Sequence, residues 1–121
     1  MLVVRFSSLG DVVLTTPLLR ALSTALPAAE ITFATKASYA PILAHNPHVS
    51  RVESLEPGEP VTDFARRLSG HGFDRCLDLH GSVRSLVVRS LVRGRWSGYA
   101  KRRLKRAALI HDDAEIKKQL T

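Results

Sequence analysis

Three observations predict an α/β fold with a doubly wound, mostly parallel sheet and helices on both faces. Short runs rich in β-branched and aromatic residues alternate with segments of helical periodicity. The connections between them are short and carry Gly, Pro, Ser or Asn. The apolar runs are near-continuous rather than alternating, as expected of strands buried on both sides. At 121 residues, 45% hydrophobic and 24% charged, the chain has the length and composition of one globular domain spanning 1–121.

The first strand is the run at residues 2–6, which ends in Ser-Ser-Leu-Gly. A helix follows over 11–26, with Leu14, Leu18, Leu22 and Ala25 at helical spacing and Pro27 ending it. Pro17 leaves two readings open. It kinks a helix capped by Asp11, or it opens a second helix capped by Thr16, where proline is welcome. "ITFAT" at 31–35 is the second strand, 37–45 a short helix and "HNPH" a loop. "RVESL" at 51–55 is the third strand, "EPGEP" a turn and 61–68 a helix. "RCLDL" at 75–79 is the fourth strand, then "HGS" and a helix over 83–92. A fifth, short strand is expected at 95–99, and the remainder is basic and partly helical. Right-handed crossovers make this a Rossmann-like domain.

In such sheets ligands sit beyond the carboxyl ends of the strands. The segments 7–11, 36–38, 80–82 and 97–101 should therefore share one edge. The nucleotide fingerprints that the fold invites are missing. There is one glycine, Gly10, in the first turn, and neither a G-x-G-x-x-G nor a Gly-Lys-Ser/Thr pattern. Asp11 stands where a phosphate would go and already occupies the positive end of the helix dipole. A carboxylate in that place has two uses. It can cap the helix, or it can accept a proton from a substrate hydroxyl. Spacing leaves both open.

The net charge of +7 is unevenly spread. Residues 1–83 carry seven Lys/Arg and eight acids, whereas 84–121 carry eleven and three. A basic end on a neutral body suits an anionic partner or a solvated face. The single cysteine, Cys76, excludes an internal disulfide, and no run is long enough to span a bilayer. With no targeting segment, a cytoplasmic protein is expected. Cys76 lies in an apolar strand and reads as a core residue. His45 and His48 flank a loop without a third ligand and read as surface, so no metal is expected. Trp96 and Tyr99 could stack on a sugar face but suit packing better. Asp78 ends the fourth strand, where it can bond the amides of the 80–82 turn.

Four segments, in order, resemble one family. "VVRFSSLGDVVLTTPLLRAL" is similar to the opening of the lipopolysaccharide heptosyltransferases, glycosyltransferase family 9. "NPHVSRVESL", "FDRCLDLHGSVRSLVVRSL" and "RWSGYAKRRLKR" are similar to later segments of that family. The resemblance implies a GT-B architecture of two Rossmann-like domains facing a cleft. It implies metal-independent, inverting transfer of heptose from ADP-heptose onto the lipopolysaccharide inner core. By position it makes Asp11 the general base and Ser8, Leu9 and Gly10 the turn that presents it. It makes His80, Gly81 and Arg84 a second acceptor-side turn, with His80 standing where many members have Gln. Lys101, Arg102 and Arg103 would meet the anionic acceptor or the inner-membrane surface. The ADP-heptose site belongs to the second domain, so this chain alone is expected to be inactive, with no cofactor of its own. Two other readings remain: a basic Rossmann-like module that binds nucleic acid through "KRRLKR", and the acceptor domain of another GT-B enzyme.

Overall fold

The computed structural model describes residues 1–98. Five strands, β1 (Leu2–Val4), β2 (Thr32–Lys36), β3 (Arg51–Leu55), β4 (Arg75–Asp78) and β5 (Arg95–Gly98), form one sheet in the order β3-β2-β1-β4-β5. All four pairings are parallel. The helices are α1 (Leu9–Ala25), α2 (Ala40–Leu43), α3 (Val61–Ser69) and α4 (Val83–Leu91), with a 3₁₀ turn, Ala37–Tyr39, leading into α2. This is the doubly wound α/β, Rossmann-like arrangement. The end of the expected fifth strand at Tyr99 and the basic remainder lie outside the described residues, as do Lys101, Arg102 and Arg103.

The period of two along each strand divides the core. Val3 is aligned with Phe33 and Leu77, and these face α1 and α2 with Leu18, Leu22 and Leu43. Leu2, Val4, Ala34 and Cys76 face the other way, onto Phe64 and Leu68 of α3 and Val88 of α4. Phe6, beyond β1, packs edge-on against Phe64 with ring centroids 5.9 Å apart. Each fully buried Leu or Phe contributes about 1.5–3 kcal/mol, so both faces of the sheet are sealed by ordinary hydrophobic burial.

For α1 one expectation is corrected and one alternative is decided. Asp11 is not the cap. The helix starts at Leu9 with Ser8 as its N-cap, and Asp11 stands at the third helical position. Nor does Thr16 begin a second helix, because Pro17 lies inside one continuous helix. Proline there leaves the carbonyl four residues back, that of Val13, without its usual donor. The Thr16 hydroxyl donates to that carbonyl at 2.8 Å, and the Thr15 hydroxyl donates to Val12 O at 2.5 Å. The Thr16 hydroxyl thus supplies the donor that Pro17 cannot.

The order of the strands matters for function. From β1 the chain winds outward to β2 and β3, then returns to lay β4 on the other side of β1. The direction of winding reverses between β1 and β4. Beyond the carboxyl ends of those two strands lies the crevice where such sheets bind ligands.

Candidate functional site

The crevice is built from the residues that follow β1 and β4. After Val4 the chain bonds once more to its neighbour, through Arg5 N–H to Ala34 O at 3.0 Å. Arg5 itself is 6% exposed. Its Nη1 donates to Leu79 O at 2.6 Å, and its Nη2 lies 2.8 Å from Asp11 Oδ2. The same Asp11 oxygen accepts the Ser8 hydroxyl at 3.0 Å and the Ser8 N–H at 3.4 Å. Ser8 and Asp11 are therefore the two members of a capping box. Asp11 is 9% exposed. Burying a carboxylate is costly unless it is paired and hydrogen-bonded, and Arg5 and Ser8 meet that requirement. Sequence reasoning misses Arg5 because it falls within the apolar run 2–6. The available signal is a charge inside a buried strand, which needs a partner.

The β4 side is held by Asp78, which is 2% exposed. Its Oδ1 accepts the N–H of His80 at 2.9 Å and of Gly81 at 3.0 Å. Arg89 Nη1 stands 3.8 Å from Oδ2. The amide-bonding role expected for Asp78 is present, without the Ser82 amide. Ser82 instead caps α4, exchanging bonds with Ser85. Gly81 has φ +65°, a left-handed conformation that disfavours any side chain with a Cβ. The turn brings His80 back onto β1, where Nδ1 accepts the Phe6 N–H at 3.3 Å. An accepting Nδ1 carries no proton, so a neutral ring holds it on Nε2. Burial, and then the nearby Arg5 guanidinium, push His80 below its usual pKa, outweighing Asp78 and Asp11.

Thus Ser8, Asp11, His80 and Gly81 come together at the crevice, and Arg5 ties the two sides. Leu9 and Gly10 form the first turn of α1, with Leu9 53% exposed. A Cβ added at Gly10 would meet nothing within 4 Å, so packing within the described residues does not demand glycine there. Arg84, on the first turn of α4, is exposed and opens onto a neighbouring cleft of about 440 Å³. Lys36, Glu56 and Glu59 line that cleft too, and Glu59 is bonded by Arg67 at 3.0 and 3.1 Å. A larger cavity, about 640 Å³, lies at the amino ends of the strands, around Met1, Leu26 and Arg75, away from all of these groups.

The remaining candidates have structural places. Trp96 packs against the α3/α4 core and donates Nε1–H to Val92 O at 2.9 Å. Cys76 is buried, and burial pushes its thiol up to about 11. Among the described residues no three His, Cys, Asp or Glu side chains gather as a metal site. No helix among them is long and apolar enough to cross a membrane.

The sequence matches no protein-family model and no curated protein. Solved structures do match it. A glycosyl transferase family 9 protein from Veillonella parvula has a TM-score of 0.76 at 22% identity, over 99% of this chain and 41% of that one. E. coli heptosyltransferase WaaC, solved with ADP, has 0.70 at 25% identity, over 80% of this chain and 34% of that one. E. coli ADP-heptose lps heptosyltransferase II has 0.68 at 22% identity, over 88% and 32%. The chain spans about a third to two-fifths of the length of these proteins. The resemblance carried by the four sequence segments therefore holds for the fold.

Proposed function

We propose that this chain forms the acceptor-side half of a glycosyltransferase, with the β1/β4 crevice receiving the acceptor hydroxyl and Asp11 as its general base. The observation that carries this reading is the position of Asp11 at the switch point, paired with Arg5 and joined to Ser8 in a capping box. The likeness to family 9 glycosyltransferases supports the reaction class. In the finer reading the donor is ADP-heptose and the acceptor is the anionic inner core of lipopolysaccharide. Asp11 takes the hydroxyl proton as that oxygen attacks the anomeric carbon. The bond from the anomeric carbon to the diphosphate breaks on the opposite side, and ADP leaves. A single displacement of this kind inverts the configuration and asks no metal of the acceptor half.

The donor is held by a second domain in this reading, and the acceptor brings the anionic partner that the basic C-terminal charge suits. His80, with Nε2–H outward from its Phe6 bond, serves as a neutral hydrogen-bond donor, and Arg84 serves as a cation for acceptor carboxylate or phosphate. The protein works in the cytoplasm, at the inner-membrane surface where its lipid-linked acceptor lies.

Binding and transfer test this. The 121-residue chain should bind a Kdo-bearing core oligosaccharide saturably, and should release no ADP from ADP-heptose unless a donor domain is supplied. Absence of saturable core-sugar binding overturns the reading. Steeply salt-dependent nucleic-acid binding in its place would favour the module that uses "KRRLKR".

A further inference from the structure

Arg5 is a buried cation at the end of β1. It is one of two described residues with a fully buried side-chain polar atom that lacks a bonded partner, here Nε. Its two terminal nitrogens are both engaged, one on each side of the crevice. Nη1 reaches the Leu79 carbonyl beyond β4, and Nη2 reaches Asp11 on the first turn of α1. The strand provides the anchor: Arg5 N–H is still bonded to Ala34 O, so the guanidinium projects from the rigid end of the sheet.

A surface-capping role for Asp11 requires none of this. The capping box is complete with Ser8 and Asp11 alone. Burying an arginine in a strand end is costly and is offset only by good geometry. The fork of Arg5 meets that condition by joining the base to the opposite strand, which a point charge such as lysine does less well. We propose that Arg5 is a positioning residue, fixing the Asp11 carboxylate between β1 and β4 and holding it ionised for proton transfer. The proposal rests on the general-base reading given above. Arg5, Asp11, Asp78 of β4 and Arg84 of α4 all act on the His80 imidazole of the following turn, so His80 senses the same charges that meet in the crevice.

The test is a titration of the Asp11 carboxyl carbon by NMR in the 121-residue chain, wild type against Arg5→Met. The carbon signal separates Asp11 from the His80 imidazole, which also senses Arg5. An arginine beside a carboxylate favours its ionised form, so the Asp11 midpoint should rise in Arg5→Met. Arg5→Lys, which returns the cation, should restore most of the wild-type midpoint. An unmoved midpoint in folded Arg5→Met overturns the proposal. If Arg5→Met does not fold, Arg5→Gln, neutral but able to donate to Leu79 O, takes the same reading.

Where transfer is measured, the acid limb of kcat should move up with the midpoint while the acceptor KM stays put. Wild-type transfer by Asp11→Asn would instead sink the general-base reading itself. A dead Asp11→Asn beside an unshifted Arg5→Met limb would sink only the role of Arg5.

Discussion

The Phe6 N–H donates to Nδ1 of His80 across 3.3 Å, between residues 74 apart in sequence. The bond fixes which ring nitrogen carries the proton and lays the 80–82 turn against the end of β1. It also makes protonation of His80 costly, because the imidazolium would turn Nδ1 into a donor facing another donor.

That cost predicts a pH dependence. His80 sits below its ordinary value of 6.5 in the folded chain, through burial and then Arg5. Below about pH 6.5 the unfolded chain takes up a proton that the folded chain resists. Its contribution is therefore full above pH 6.5 and is lost as the pH falls through the lowered folded value. His80→Gln keeps an acceptor for Phe6 and removes the titration. Urea midpoints at about pH 5 and 7.5 should differ less in the variant than in wild type, and equal differences would refute the assignment.

Asp11→Asn should abolish transfer, a loss on the order of 10²–10⁴ in kcat for a general base. Sequence reasoning expects the fold to be untouched, since Asn also caps. The structure changes that expectation, because Asn would leave the Arg5 charge buried without its counter-ion. Breaking a buried pair costs about 3–5 kcal/mol, reduced here because the amide oxygen of Asn still accepts from Arg5. Denaturant unfolding should register the loss, and rates must be compared at a temperature where both proteins are folded. Near-normal turnover would rule out Asp11 as the base.

Gly10→Ala should separate stability from activity. Apart from its chain neighbours and its own helix backbone, an added Cβ at Gly10 meets nothing within 4 Å, and Gly10 is helical. Alanine gains roughly 0.5–1 kcal/mol over glycine in a helix. Under the proposed function the methyl would narrow the first turn of α1, which presents Asp11 to the acceptor. A raised melting temperature with a raised acceptor KM is expected, and an unchanged KM would remove Gly10 from the acceptor site.

Thr16→Val should weaken α1 by about 1 kcal/mol, the net value of a typical hydrogen bond, because Val13 O loses the hydroxyl donated at 2.8 Å. In a Pro17→Ala background the helix regains a backbone N–H at that position, so the same Thr16→Val change should cost much less. A double-mutant cycle by urea denaturation measures the coupling, and strictly additive effects would show that Thr16 does not compensate for Pro17.

Much of this is legible without any coordinates. The five strand runs, the helices between them and the edge on which 7–11, 36–38 and 80–82 meet follow from local periodicity and turn chemistry. The cap of α1 is misread from sequence because Ser8 and Asp11 are both good capping residues three apart. Sequence does not say which is the cap and which the reciprocal partner. Pro17 is ambiguous for a similar reason: the rule that proline breaks helices holds until a neighbouring hydroxyl supplies the missing donor.

The sequence by itself determined the α/β class, the sheet's parallel character and the presence of an acid at the first strand–helix turn. These depend on interactions within a few residues. Only the tertiary structure decided what that acid touches. The bonds from Arg5 to Leu79 O and from Phe6 to His80 join the end of β1 to a turn more than seventy residues away. They exist because β4 returns to lie beside β1. Strand order is set by how two hydrophobic faces are best covered at once, a property of the whole chain. The setting of Asp11 was settled at that level.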